Sequence, residues 1–309
     1  MKAVQIQAYG DQAVVRDARA PTIGPREVSV RVAGYAANPL DLKIGSGVMR
    51  DYFPVEFPYT LGTDLSGTVV AVGDDVTGWS AGDRVVARLD PSRGGAAAEY
   101  AVVPADQLVR APSTVSLHLA AGIVTAAATA WQALTQVANI RSGQTVLVHG
   151  GAGGVGSFAV QFARDLGAQV ITTASGAGVD IAQKLGAHQV IDYTETDFTT
   201  VAADVDVVLD TIGGVNEVRS LDVLRSGGIL VATPVPPDAE RATSRGVRAE
   251  FVFHSSDATR LATVVEKIDS GTHILLDRVL PLGEAPAALD YLADGKAKGK
   301  VVLVADSVV

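Results

Sequence analysis

The chain has no cysteine in 309 residues. That excludes disulfides, thiol catalysis, iron–sulfur clusters and Cys-ligated zinc. Histidine is scarce: five residues, at 118, 149, 188, 254 and 273, no two of them four apart, so no helix presents a two-His metal face. Aromatic residues make up only 5%. Positive charge is outweighed, with 25 Lys and Arg against 34 Asp and Glu and a net charge of −9. An acidic balance opposes general nucleic-acid binding, which rests on clustered Lys and Arg, and docking on anionic membranes. The longest apolar stretch, residues 119–134, is Ala-rich and broken by Thr, Gly and Gln, which reads as too short and too polar to span a bilayer. The opening MKAVQIQAYGDQ shows neither an apolar signal core nor an arginine-rich pattern. The expectation is a cytoplasmic protein with no nucleic-acid and no membrane partner.

What is present is ordinary globular material, 48% hydrophobic and 19% charged. At roughly 150 residues per domain the length suggests two domains. The stretch 1–118 reads as short strands and turns, punctuated by Pro21, Pro25, Pro39, Pro54, Pro58 and Pro91. Residues 117–138 are Ala-rich and helical in character. An alternation follows. Strands are expected at 145–149, 169–173, 189–192, 206–210, 229–232 and 249–253, with helices near 157–166, 179–185, 216–224 and 258–270. Continuous apolar strands such as VDVVLD separated by helices imply a buried parallel sheet joined by right-handed crossovers. The tail, with strands at 278–281 and 300–305 and a helix at 285–293, reads as returning to the first domain. The fold class is therefore α/β: residues 1–118 plus 256–309 form a β-rich domain, and 119–255 form an inserted, doubly wound dinucleotide-binding domain.

The segment T-V-L-V-H-G-G-A-G-G-V-G-S, residues 145–157, places Gly151, Gly153 and Gly156 in the pattern G-x-G-x-x-G between a strand and a helix. The first glycine permits the tight turn, the second lets backbone approach a pyrophosphate, and the third lets helix pack on strand. The helix N-terminus offers N–H groups to phosphate, with Gly154, Val155, Gly156 and Ser157 in its first turn. The second strand ends in Ala174-Ser175-Gly176, without the acid that accepts from the ribose 2′-OH of NAD. That favours NADPH, with Ser175 donating to a 2′-phosphate and Tyr193 walling the adenine. No Arg or Lys stands at 174–179 to neutralise that phosphate. A P-loop, a Tyr-x-x-x-Lys pair and a G-x-S-x-G elbow are all absent from the sequence.

Several segments together carry a family resemblance: Asn38-Pro-Leu-Asp-Leu-Lys43, G-T-D-L-S-G-T-V-V-A-V-G at 62–73, G-D-R-V at 82–85, the glycine loop, L-G-A at 185–187, I-D-Y at 191–193, D-T-I-G-G at 210–214 and G-K-V-V-L at 299–303. The chain resembles the zinc-free branch of the medium-chain dehydrogenase/reductases, the quinone oxidoreductases and enone (alkenal) reductases. The resemblance implies a GroES-like catalytic domain, an inserted Rossmann domain, a homodimer and a cofactor held between the domains. Asn38 and Thr63 stand where zinc-dependent relatives carry Cys and His, so no metal is expected and a zinc-polarised alkoxide loses its Lewis acid.

Site residues follow from the same segments. Asn38 is a candidate for holding a substrate carbonyl or the nicotinamide ribose, and Asp41 for a hydroxyl or a structural cap. Lys43 is a candidate to stabilise an enolate oxygen or deliver a proton. Thr125 resembles a family Thr beside the nicotinamide phosphates. Phe251 and Phe253, with Val252, are expected to approach the nicotinamide, and Lys300, with Lys298, the cofactor. Tyr52, Phe53, Phe57 and Tyr59 fall within eight residues in a chain of seven Tyr, seven Phe and two Trp. Tyr52, Phe53, Tyr59 and Phe253 therefore form the expected apolar substrate pocket. The expected activity is zinc-independent hydride transfer from NADPH to a small conjugated acceptor, a quinone or an α,β-unsaturated carbonyl. Alternatives are an enoyl-thioester reductase, using Arg241, Arg245 and Arg248, and a non-catalytic NADPH-binding protein of the zeta-crystallin kind.

Overall fold

The computed structural model describes residues 1–305. They divide into two compact units: residues 1–125, 256–271 and the segment from 276 onward, and residues 126–255 with 272–275. The first division falls at Thr125/Ala126, seven residues beyond the expected 118/119, and a short stretch at 272–275 belongs to the second unit.

The first unit begins with β1 (Lys2–Ile6), β2 (Val14–Asp17), β3 (Glu27–Ala37), α1 (Pro39–Gly45), β4 (Tyr59–Thr60), β5 (Asp64–Val72), β6 (Arg84–Arg88), β7 (Tyr100–Pro104) and β8 (Val109–Arg110). Alternating burial along β3, with Val28, Val30 and Val32 inside, shows one face of the sheet turned to the core. The helix α2 (Leu117–Ala120) ends this stretch of the first unit, and α3 (Val124–Trp131), which continues into a π turn over Gln132–Val137, belongs from Ala126 onward to the second unit. This 21-residue helical run, Leu117–Val137, is long and apolar enough to cross a membrane, contrary to the reading of its sequence. Two thirds of its most apolar window is buried among the protein's own residues, as in a core helix.

The second unit carries β9 (Thr145–Val148), α4 (Gly154–Asp165), β10 (Gln169–Ala174), α5 (Ala177–Lys184), β11 (Gln189–Asp192), β12 (Val205–Asp210), α6 (Val215–Ser220), β13 (Leu224–Ala232), α7 (Ala239–Ser244) and β14 (Arg248–Phe251). Its strands are ordered β11-β10-β9-β12-β13-β14, and every neighbouring pair is parallel. This is the doubly wound 3-2-1-4-5-6 order. Two expectations shift. The helix predicted over 216–224 stops at Ser220, because β13 already pairs from Leu224 opposite Val205. The last strand ends at Phe251, so Phe253 lies beyond it.

The chain then returns to the first unit with α8 (Ala258–Asp269), β15 (Leu276–Pro281), α9 (Ala285–Ala293) and β16 (Lys300–Val304). β16 lies antiparallel to β3, with Val301 opposite Ala37 and Leu303 opposite Tyr35. The sheet path is β15-β16-β3-β5-β6-β8, with β7 also on β3. Register sets the site. Ala36 faces Asp64, and Asp64 faces Arg88. Charged residues from the ends of β16, β5 and β6 thus form one row beside Asn38, which follows β3 directly.

Candidate active site

In the first unit the row closes into a buried polar network. Asn38 opens α1 with Pro39 at its first helical position. The Asn38 Nδ2 donates to Asp64 Oδ2 at 3.0 Å and to the Ala36 carbonyl at 3.1 Å. The Lys300 ammonium donates to Asn38 Oδ1 at 2.6 Å and to the Ala37 carbonyl at 3.2 Å. Asp64, fully buried, also accepts from the Thr125 N–H (2.9 Å) and hydroxyl (2.6 Å) and from the Thr63 hydroxyl (2.9 Å). The Arg88 guanidinium donates to the Thr125 hydroxyl and to Ser256 Oγ, at 3.2 and 3.1 Å. Two acids, Asp41 and Asp64, and two basic residues, Arg88 and Lys300, are buried together here.

Asp41 forms the second tier. Its Oδ2 accepts from the Tyr35 hydroxyl at 2.9 Å and from the Asn38 N–H at 2.7 Å, half of a capping box. Burial raises the Asp41 carboxyl to about 7, against the pull of those two donors and of Lys300. The Tyr35 hydroxyl is pushed well above its usual range by burial and by Asp41. Burial lowers the Lys300 ammonium, while Asp64 and Asp41 hold it up.

This geometry corrects several expectations. Both Asn38 amide hydrogens are committed inside the protein, so Nδ2 is not presented to a carbonyl. Asp41 is 2% exposed and caps α1 rather than offering itself to a cofactor hydroxyl. The Thr125 hydroxyl donates to Asp64 and accepts from Arg88. Lys300 is 3% exposed, with its ammonium turned to Asn38. Tyr59 is not a pocket residue: it is 3% exposed in the core, and its hydroxyl donates to the Pro91 carbonyl at 2.7 Å. Tyr52 is 67% exposed, Phe53 is half-buried, and Phe57 meets Tyr9 edge-on at 4.9 Å. Lys43 is half-buried in the last turn of α1. The sequence reading missed Tyr35, Arg88 and Ser256, and it named Asp64 only within a motif. A charge inside apolar runs such as R-V-V-A-R and G-T-D-L was the available signal.

In the second unit the glycine loop joins β9 to α4. Gly150 has a φ of +71°, which favours glycine. A Cβ on Gly151 would lie 2.1 Å from Thr172 Oγ1, and one on Gly156 would lie 2.1 Å from the Gly150 carbonyl oxygen. Gly153 caps α4 without a side-chain bond. The N–H groups of Gly154, Val155 and Gly156 are helix-start donors without intrahelical acceptors. A loop that excludes a Cβ at Gly151 and Gly156 and ends in amides at a helix N-terminus fits the pyrophosphate of a dinucleotide.

His149 supports this loop from below. Its Nε2 meets Ser220 Oγ at 2.8 Å, and that hydroxyl donates to the Asn216 carbonyl, so Nε2 carries the proton. Nδ1 accepts from Thr173 Oγ1 (3.2 Å), which in turn accepts from the Gly150 N–H. Burial holds the imidazole below its usual range, hence neutral. Asp210 Oδ1 accepts from the N–H groups of Ile212 and Gly213 and shapes the following turn. At the far end of the cradle, the Ser175 hydroxyl donates to the Tyr193 hydroxyl at 2.8 Å, and Tyr193 is 59% exposed. Phe251 lies opposite Ala232 at the end of its strand, and Phe253 is 52% exposed. Arg241 and Arg245 are paired with Asp238 and Asp222.

Comparison with known proteins agrees with this architecture. Residues 24–113 match the alcohol dehydrogenase GroES-like domain, and residues 185–303 match the zinc-binding dehydrogenase family. A 2-haloacrylate reductase from a Burkholderia species is 31% identical, with 95% of each chain covered. The chain belongs to the zinc-free, quinone oxidoreductase-like branch of the medium-chain dehydrogenase/reductases. The quinone oxidoreductase of Coxiella burnetii superposes with a TM-score of 0.92 at 32% identity, covering 98% of this chain and 99% of that one. A mycobacterial protein complexed with NADPH gives 0.88 at 32% identity, with 98% and 99% covered. The chain is an oxidoreductase. The zinc in one family's name does not fit its residues: Asn38 is engaged by Lys300 and Asp64, and Thr63 by Asp64.

Proposed function

We propose that the protein is a zinc-independent, NADPH-dependent reductase of quinones or α,β-unsaturated carbonyls. The observation that carries the reading is the glycine loop at the start of α4, where a Cβ on Gly151 or Gly156 would collide with its neighbours, in a parallel sheet whose second strand ends without an acid. A relative named for haloacrylate, a conjugated acid, and a similar structure holding NADPH support it. The dinucleotide, when bound, supplies the hydride. The chain's own part is to hold it: amides 154–156 face the pyrophosphate, and the Ser175–Tyr193 hydroxyl pair faces the 2′ position. Lys43 is assigned to the oxygen that gains charge as an enolate or quinol forms, and Tyr52 and Phe53 to the flat acceptor. Asn38 acts as a positioning residue, bonded to Lys300 and Asp64 at the start of the helix that carries Lys43. Cytoplasmic location and a homodimer are part of this proposal.

The test follows reduced-nicotinamide absorbance with NADPH and NADH against a simple quinone, a conjugated enal and a saturated aldehyde. Turnover of the enal or quinone, with none of the saturated aldehyde, supports the reading. Loss of enal turnover in Lys43→Ala with retained NADPH binding supports the role of Lys43. Tight NADPH binding without turnover of any acceptor overturns the reductase assignment.

A further inference from the structure

The turn that follows β1 is built to carry one side chain. Asp11 Oδ2 accepts from the Gln7 and Ala8 N–H groups, at 3.1 and 2.9 Å, and the Asp11 N–H returns to the Ala8 carbonyl at 3.3 Å. Gly10 sits in this turn with a φ of +86°, which favours glycine. Its N–H donates to the carbonyl of Gly45, the last residue of α1, at 2.8 Å. A carbonyl at a helix C-terminus lacks an intrahelical donor, so this bond anchors the end of the helix that carries Lys43. The side chain that the turn presents is the half-buried Tyr9.

Tyr9 grips both ends of the loop at residues 46–57. At its start, a Cβ on Gly47 would lie 3.0 Å from the Tyr9 Cγ, and Gly47 has a φ of +80°, so the backbone passes close over the ring. At its end, the Tyr9 hydroxyl accepts from the Val55 N–H at 3.3 Å, and the ring meets Phe57 edge-on. In between, the loop turns on itself: the N–H groups of Tyr52 and Phe53 both donate to the Met49 carbonyl, at 3.0 and 2.8 Å. Met49 and Val55 pack on the core of the first unit, while Tyr52 stays exposed. The two rings assigned to the acceptor therefore stand between two points held by one tyrosine.

We propose that Tyr9 is a positioning residue for acceptor specificity: it holds the loop at residues 46–57 so that Tyr52 and Phe53 present a fixed apolar surface to a flat conjugated acceptor. This rests on the assignment of those two rings to the acceptor and adds to it the residue that holds them. Tyr9 acts through the loop and not on the reacting atoms. A loop already held in one conformation loses less entropy when the acceptor orders it, so the effect falls on acceptor binding rather than on hydride transfer. It grows with the acceptor area that meets the rings, and is therefore larger for a fused-ring quinone than for a small enal.

The test is steady-state kinetics with NADPH and two acceptors, a flat fused-ring quinone and a small enal, beside calorimetry with NADP⁺ and urea unfolding. Tyr9→Phe keeps the ring against Gly47 and Phe57 and removes only the oxygen that accepts from Val55. It is expected to raise KM for the quinone by roughly threefold to tenfold. Its kcat, its NADP⁺ dissociation constant and its KM for the enal stay within about twofold of wild type, the pattern of lost acceptor binding alone. Tyr9→Leu removes the ring as well and raises the quinone KM further. Combined with Tyr52→Ala, Tyr9→Phe raises KM by less than the product of the two single effects, because both act on one loop. A quinone KM unchanged in Tyr9→Phe but raised in Tyr52→Ala overturns this proposal alone, as does strict independence of the two variants. A fall in urea stability with KM unchanged assigns Tyr9 to packing and also overturns it. If Tyr52→Ala and Phe53→Ala both leave KM unchanged, or the wild type turns over neither acceptor, the acceptor assignment falls and this proposal falls with it.

Discussion

Replacing Asp41 by Asn separates charge from hydrogen bonding at the base of α1. The carboxyl is 2% exposed, and burial raises it from 3.8 to about 7. A group whose pKa is raised on folding prefers to be protonated in the folded state. Its contribution to stability is complete below its unfolded value and is lost as pH climbs through the folded one. At 1.36 kcal/mol per unit, the shift corresponds to a ceiling of ~4 kcal/mol lost by the wild type as pH rises from about 4 to above 7. The amide oxygen that Asp41→Asn introduces can still accept from the Tyr35 hydroxyl and the Asn38 N–H, so the helix start keeps its two bonds. The assay is urea unfolding of both proteins across that pH range. The variant is expected to gain on the wild type as pH rises, with the difference growing by about 2–4 kcal/mol. Taking the difference between the two proteins removes the titration of every other group. A difference that is flat with pH, or one in which the wild type gains as pH rises, refutes the reasoning: the ionised carboxylate would then be held by Lys300 strongly enough to outweigh its burial.

Further outcomes follow from the same geometry. Lys300→Met removes the cation on Asn38 Oδ1 and leaves the acids of the network short of a counter-charge, so unfolding should cost about 3–5 kcal/mol less. Adding Asp64→Asn should return part of that loss in a double-mutant cycle, and strict additivity would disprove the coupling. Gly156→Ala puts a Cβ 2.1 Å from the Gly150 carbonyl oxygen; loss of NADP⁺ binding by calorimetry is expected, together with a lower melting temperature, and unchanged binding would remove the loop from the site. Tyr59→Phe should cost about 1 kcal/mol in urea unfolding through its bond to Pro91 and leave KM for every acceptor unchanged, whereas Tyr52→Ala should raise KM without a stability loss.

The second unit was legible because its chemistry is local. The glycine spacing, the apolar strand before it and the helix after it lie within residues 145–165, and each constrains the others. The strand alternation then supplied the parallel sheet, since only buried strands read as continuous apolar runs such as V-D-V-V-L-D. Boundaries were less legible. The helix after Asp210 was read through to 224 because its residues suit a helix, while pairing of Leu224 with Val205 takes that end into the sheet. Tyr59 was grouped with Tyr52 by proximity in sequence, but it occupies a β position whose side chain faces the core, and Tyr52 lies in the exposed turn before it.

In the first unit Asn38, Asp41, Thr125 and Lys300 were legible as site residues, but the polar network that joins them was not, for a different reason. Lys300 and Asn38 are 262 residues apart, and Arg88 and Ser256 are 168 apart. Nothing local marks Lys300 as buried: in sequence it follows Lys296 and Lys298 in a segment that reads as solvated. What buries it is the antiparallel register of β16 on β3, with Val301 opposite Ala37. A one-residue slip would send the same side chain to the other face of the sheet. Once inside, the ammonium needs acceptors, and it finds them in the carbonyl end of β3 and the Asn38 amide oxygen. Asn38 is then held with its oxygen toward the cation and its nitrogen toward Asp64, so its amide orientation is fixed by charges delivered from two other strands. The sequence marks Asn38 as a site residue through its motif, yet its role is set by β16 and β5, and that is why an amide read as a substrate ligand is found holding the helix that carries Lys43.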